Sequence, residues 1–214
     1  MSIDTSGLLI DAYLPGPESF DLKAAGFELG AKYNFLSPAK DNFGLSVLTT
    51  LDYGCLDKHS GQDKKTISAG LELLAQNYYL EGQFVWLGNV GIEATYADRS
   101  PIADLPEDFE WPTEPEMEIE LNFGTGASYR VANNWFVGAE TFFETEFETE
   151  IGQERWSWFG GPSVHYGNQN WWATLTWAKQ LSGGGERYEG QPDTGLHLIE
   201  KTKNEVRLKV ALNF

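Results

Sequence analysis

Apolar residues fall on every second position through nine separate segments of this chain, and each segment runs for ten to fifteen residues. The clearest is MEIELNFGTGASYRV, residues 117 to 131. Met117, Ile119, Leu121, Phe123, Tyr129 and Val131 share one face, and Glu118, Glu120, Asn122, Gly124, Gly126, Ser128 and Arg130 share the other. The last segment, EVRLKVALNF, sets Val206, Leu208, Val210, Leu212 and Phe214 against Glu205, Arg207, Lys209, Ala211 and Asn213. A period of two is the signature of a β-strand with one apolar and one polar face. The others lie at 23–35, 43–53, 66–79, 84–96, 135–147, 155–167 and 171–181.

Strands of soluble sheets usually run about five or six residues, whereas a tilted strand needs about nine to eleven to cross a bilayer. A sheet in hydrocarbon has to close, because an open edge leaves backbone groups unpaired. The connections alternate in length. EG at 81–82, ANN at 132–134 and GNQN at 167–170 are tight, while GCLDKHSGQDKK, ADRSPIADLPEDFEWPTEPE and SGGGERYEGQPDTG are long. Short turns at one end and long loops at the other is the outer-membrane arrangement, with the short turns in the periplasm. An even strand number then requires a crossing before residue 22, and GLLIDAYL at 7–14 is the candidate. The expected fold is therefore all-β, an antiparallel up-and-down transmembrane barrel of about ten strands, or a larger barrel with further strands upstream. Residues 1–21 form an N-terminal segment with a short first strand, and 22–214 form the barrel domain. Phe35, Phe43, Tyr79, Phe84, Trp135, Trp171 and Phe214 flank the short turns, where an interfacial aromatic girdle belongs.

Composition narrows the class further. A net charge of −17 argues against nucleic acid as a partner, since phosphate contacts need Lys and Arg. One cysteine, Cys55, excludes an internal disulfide framework. The sequence holds no apolar run of about 18 residues that would make a transmembrane helix. Its start, MSIDTSGLLIDAYLPGPESF, has neither the basic region nor the apolar core of a signal peptide.

The ending RLKVALNF resembles the C-terminal assembly signal of bacterial outer-membrane proteins, with Leu212 and Phe214 in its hydrophobic and terminal aromatic positions and Lys209 where Gly is usual. Four stretches, LSPAKDNFGLSVL, NYYLEGQFVWLGNVGIE, FGGPSVHYGNQNWWATLTWAKQLSG and EVRLKVALNF, are similar to Gram-negative barrels of the transporter family associated with meta-pathway phenol degradation. That resemblance implies a bacterial outer-membrane location, with outer-membrane lipid, lipopolysaccharide and the barrel assembly machinery as partners. It implies no catalytic residue and no cofactor.

If the apolar face meets lipid, the polar face lines a lumen. Strand parity assigns to it Glu28, Lys32, Glu72, Glu93, Glu118, Glu120, Arg130, Glu140, Glu144, Glu146, Arg155, His165, Arg207 and Lys209, together with Gln76, Asn89 and Glu205. Buried charges have to be paired or hydrated. Two readings follow: a narrow acidic pore for a small solute of unknown identity, and a structural barrel plugged by carboxylate to Arg/Lys networks. A lipid-modifying enzyme is the third class. His165 shares a face with Ser163, but it lies beside a short turn, and His59 with Ser60 lies in a loop with nothing to orient it. No catalytic or metal-ligating set is assigned. The acidic loop 97–115, with Asp98, Asp104, Glu107, Asp108, Glu110 and Glu114, lacks the spacing of a calcium loop.

Overall fold

A computed structural model of the chain describes residues 9–13, 21–38, 40–56, 63–101, 114–148, 152–187, 193–199 and 201–212, with the backbone alone for 9–13 and 21–25. The described residues form one antiparallel sheet of nine long strands preceded by a short one. These are β1 (Leu9–Tyr13), β2 (Asp21–Leu36), β3 (Gly44–Gly54), β4 (Lys64–Tyr79), β5 (Phe84–Arg99), β6 (Glu116–Ala132), β7 (Trp135–Glu148), β8 (Gly152–Gly167), β9 (Trp171–Gly185) and β10 (Asn204–Leu212). Each strand pairs with the next in sequence, in the order β1 to β10. The sheet curls as a half-barrel, so that residues of β2 and β10 line one and the same cavity.

Strand registers carry the alternation across the whole sheet. Glu120 of β6 stands opposite Glu93 of β5 and Glu146 of β7, and Leu121 stands opposite Ile92 and Thr145. Inward positions thus meet inward positions, as a sheet with period two requires. Several strands run past the alternating band at the long-loop end. Ser182 to Gly185, expected in a loop, belong to β9 and pair with Arg155 to Trp158 of β8. Residues 97–99, assigned by sequence to the acidic loop, belong to β5. Backbone pairing needs no apolar side chain, so the pattern underestimates strand length wherever side chains turn polar or vanish.

Tight turns close the other end. Leu80 and Glu81 adopt φ of 52° and 54°, and Gly82 donates to the Tyr79 carbonyl at 3.0 Å. Two successive positive φ values give a hairpin the twist that antiparallel strands need. Asn134, with φ of 66°, serves the β6–β7 turn, and asparagine tolerates this conformation better than most residues.

The packing is inverted relative to a soluble domain. Among the described residues the buried hydrophobic side chains are Leu56, Ala97, Phe159 and Ala178, whereas Ser68, Thr145, Glu146, Ser157, Thr176, Gln180 and His197 are buried polar ones. Large apolar side chains of every long strand lie exposed, from Phe27, Leu29 and Ile67 to Val206, Leu208 and Leu212. Burying one such side chain contributes about 1.5–3 kcal/mol, so dozens left in water would forgo the main driving force of folding. Soluble monomers rarely expose contiguous apolar patches beyond a few hundred Å².

Aromatic rings on this outer face gather near the short turns. Trp135 contacts Tyr166 at 5.0 Å between centroids, Tyr166 contacts Trp171 at 4.8 Å, and Tyr79 contacts Phe84 at 5.8 Å. Phe27 with Tyr53, and Phe143 with Trp156, form similar pairs nearer the long loops. Trp156 and Tyr166 are ten residues apart on β8. That spacing is about 33 Å along a strand, or roughly 25 Å once a tilt of about 40° is included, the height of the apolar band of membrane barrels. Phe214 lies outside the described residues.

Candidate functional site: an acidic cavity closed at one end

The concave face encloses a cavity of about 1030 Å³. It begins at the short-turn rim, where Leu36, Ser37, Pro38 and Tyr78 line it, and ends at a layer formed by Thr50, Gly70, Glu93, Glu120, Glu144 and Thr176. Parity explains the lining. On β4, Gly70, Glu72, Leu74 and Gln76 point inward, and their neighbour Leu73 is exposed outside.

Beyond that layer the long-loop end is filled. Arg155 donates to Glu146 at 2.5 Å, Lys64 to Glu118 at 3.0 Å and Lys201 to Glu144 at 2.8 Å, and Arg99 pairs with Glu116. Ser68 and Thr95 share a hydrogen bond of 2.8 Å. Phe142 stacks on Phe159 at 5.1 Å with an interplanar angle of 11°, and the Arg207 guanidinium lies 4.0 Å from the Phe142 centroid. Arg207 also bonds Glu205 at 2.8 Å.

The connection between β9 and β10 folds inward onto this network. The Gln180 side chain accepts from the His197 backbone N–H at 2.7 Å and donates to the His197 carbonyl at 2.9 Å. Gly183 N–H donates to the Gly195 carbonyl at 2.9 Å, and Gln180 N–H to the Lys203 carbonyl at 3.0 Å. A Cβ on Gly183 would stand 2.6 Å from His197 N, so only glycine lets the loop seat this closely. The His197 imidazole is buried, and its Nε2 has no hydrogen-bond partner among the described residues. Burial, followed by the Arg155 and Lys201 charges, holds its pKa below the ordinary 6.5.

Of the residues assigned to the lumen by parity, Glu28, Lys32, Glu72, Glu93, Glu120, Glu140, Glu144, Arg207 and Lys209 line the cavity, as do Gln76 and Asn89. Glu118, Glu146 and Arg155 belong to the closed end. His165 faces inward near the short turns and bonds Thr174 at 2.8 Å, with its ring 6.0 Å from that of Trp172. Its Nδ1 is therefore occupied by Thr174 and not by Ser163. Arg130 is exposed at the short-turn end and does not line the cavity. His59, Ser60, Asp104, Glu107, Asp108 and Glu110 lie outside the described residues.

Glu116, Glu118 and Glu148 bring carboxylate oxygens within 4.8 Å of one another at the long-loop rim. Arg99 and Lys64 already neutralise two of the three. Sequence reasoning did not single out Phe142, Phe159, Gln180, His197 or Lys201 as parts of a closure. One signal was present: Phe142 occupies an inward position between Glu140 and Glu144.

The chain belongs to a family of unknown function, DUF6662, whose model matches residues 1–214. No curated protein and no solved structure matches it.

Proposed function

We propose that this chain is a bacterial outer-membrane β-barrel and a passive transporter of small solutes, held closed in this structure at its long-loop end. The observation that carries the proposal is the inversion of polarity: an apolar exterior with aromatic pairs near the short turns, around a cavity lined by six glutamates and by Lys32, Arg207 and Lys209. In a bilayer the exterior meets hydrocarbon, and the charged interior stays hydrated. Spanning hydrocarbon requires both sheet edges to be paired, so the barrel closes at the seam between the N-terminal strand and β10. Lipopolysaccharide surrounds the long-loop half, and the assembly machinery reads the C-terminal signal that includes Leu212 and Phe214. The likeness to the transporter family associated with meta-pathway phenol degradation rests on the four stretches quoted above and belongs to the same proposal.

A structural barrel without conductance is the second reading, favoured by the Lys201–Glu144 pair and the inward loop. Single-channel recording after refolding in detergent decides between them, with heat-modifiable gel mobility as the check on folding. Discrete steps, more frequent in Gln180→Ala, support the transporter. A folded barrel silent in both forms supports the structural reading.

A further inference from the structure

The charges lining the cavity are unevenly distributed. All three cations lie on the first and last long strands, Lys32 on β2, which also carries Glu28, and Arg207 and Lys209 on β10, with Arg207 reaching Glu144 at 3.8 Å, while β4 to β7 contribute only carboxylates. Neither Lys32 nor Lys209 makes an ion pair among the described residues. Glu120 and Glu140, on the other wall, make none either. A field therefore runs across the cavity between groups that leave each other unneutralised. Water fills such a space, and a solute carrying both signs of charge satisfies both walls at once.

An apolar strip lies beside these walls. Leu48 of β3 stands opposite Glu72 of β4; Leu74, two residues on, stands opposite Asn89 of β5; and Leu87, two residues on again, stands opposite Gly126 of β6. Diagonal neighbours in a sheet are about 7–8 Å apart, within reach of leucine side chains. All three leucines line the cavity. The cavity volume of about 1030 Å³ is at the upper end of sites that hold small organic molecules, which run to about 1,000 Å³.

We propose, building on the reading of this cavity as a solute path, that its ligand is a small zwitterion with an aliphatic side chain, an amino-acid-like or short-peptide solute. Its ammonium group faces Glu120 and Glu140, its carboxylate faces Lys32 and Lys209, and its side chain lies along Leu48, Leu74 and Leu87. Carboxylates outnumber cations in the lining, so a solute of single charge is accepted better as a cation than as an anion.

Isothermal titration of the refolded chain in detergent tests this with three probes of similar size: glycyl-leucine, its cationic methyl ester and its anionic N-acetyl derivative. The expected order of affinity is the dipeptide, then the ester, then the acetylated form. Replacing Lys32 and Lys209 by Gln weakens the dipeptide about tenfold, the size of one lost charged hydrogen bond, and does not weaken the cationic ester. Leu74→Ser weakens glycyl-leucine but not glycyl-glycine. Equal affinity for the three probes, tightest binding of the anion, or no binding by a chain that gel mobility shows folded overturns the inference. Dipeptide binding by a barrel that never conducts supports the inference and removes the transporter reading, whereas conductance without discrimination among the probes removes the inference alone.

Discussion

The side-chain amide of Gln180 pairs with the backbone of His197 through two hydrogen bonds, 2.7 Å from the His197 N–H and 2.9 Å to its carbonyl. A strand side chain thereby imitates the edge of a sheet and fixes a loop across the long-loop end of the curled sheet. Gln180→Ala leaves both backbone groups buried without a partner. The expected loss is about 2–6 kcal/mol in local stability of the loop, since each of the two orphaned buried groups costs about 1–3 kcal/mol. Amide exchange of residues 195–203 should accelerate by at least tenfold, with the exchange of β4 and β5 unchanged.

Acid should loosen the same loop. His197 has its pKa lowered when the loop is seated, chiefly by burial and then by Arg155 and Lys201, while the released loop titrates near 6.5. The released state binds more protons, so the seated state has its full stability above about 6.5 and loses it as pH falls below that value. Amide exchange of the loop, measured at pH 7.5 and pH 5, should show this loosening. His197→Gln should remove the pH dependence.

Lys201 and Glu144 are joined at 2.8 Å with side chains about one-fifth exposed. Removing Lys201 leaves Glu144, beside Glu120, with only the more distant Arg207 guanidinium at 3.8 Å among the described residues. A double-mutant cycle with Lys201→Met and Glu144→Gln should give a coupling of about 1–3 kcal/mol in thermal or denaturant unfolding. Coupling near zero would mean that solvent screens the pair fully.

Leu208 is two-thirds exposed on β10 and stands opposite Leu175, midway along the outer face. In a bilayer, Leu208→Arg should cost about 2–4 kcal/mol of folding stability in lipid vesicles. In a water-soluble sheet the same change would be neutral or would raise solubility.

The long strands were legible because alternation is a property of side chains that any strand with two unlike faces has to show. Met117 to Phe123 and Val206 to Leu212 declare their faces residue by residue. Strand ends were not legible where glycines and polar residues continue the ladder, as at Ser182 to Gly185. The cavity lining could be read by parity, since Glu72, Glu120 and Glu144 each alternate with outward apolar neighbours. Its closure could not. The Gln180–His197 pairing joins residues 17 apart through a backbone path that no periodicity encodes. Lys201 reaches Glu144 across 57 residues of sequence. Phe142 broke the polar pattern of the inward face of β7, and its partner Phe159 is visible only once the register of β7 and β8 is known.

In the proposed barrel the outward face meets lipid and the inward face meets water. Spin labels placed singly at 206, 207, 208, 209 and 210 in a Cys55→Ser background, in lipid vesicles, test it most directly. Collision with oxygen, which concentrates in hydrocarbon, should be high at 206, 208 and 210, and collision with a water-soluble nickel chelate should be high at 207 and 209. Nickel accessibility at 206, 208 and 210 equal to that at 207 and 209 would contradict a membrane-spanning sheet.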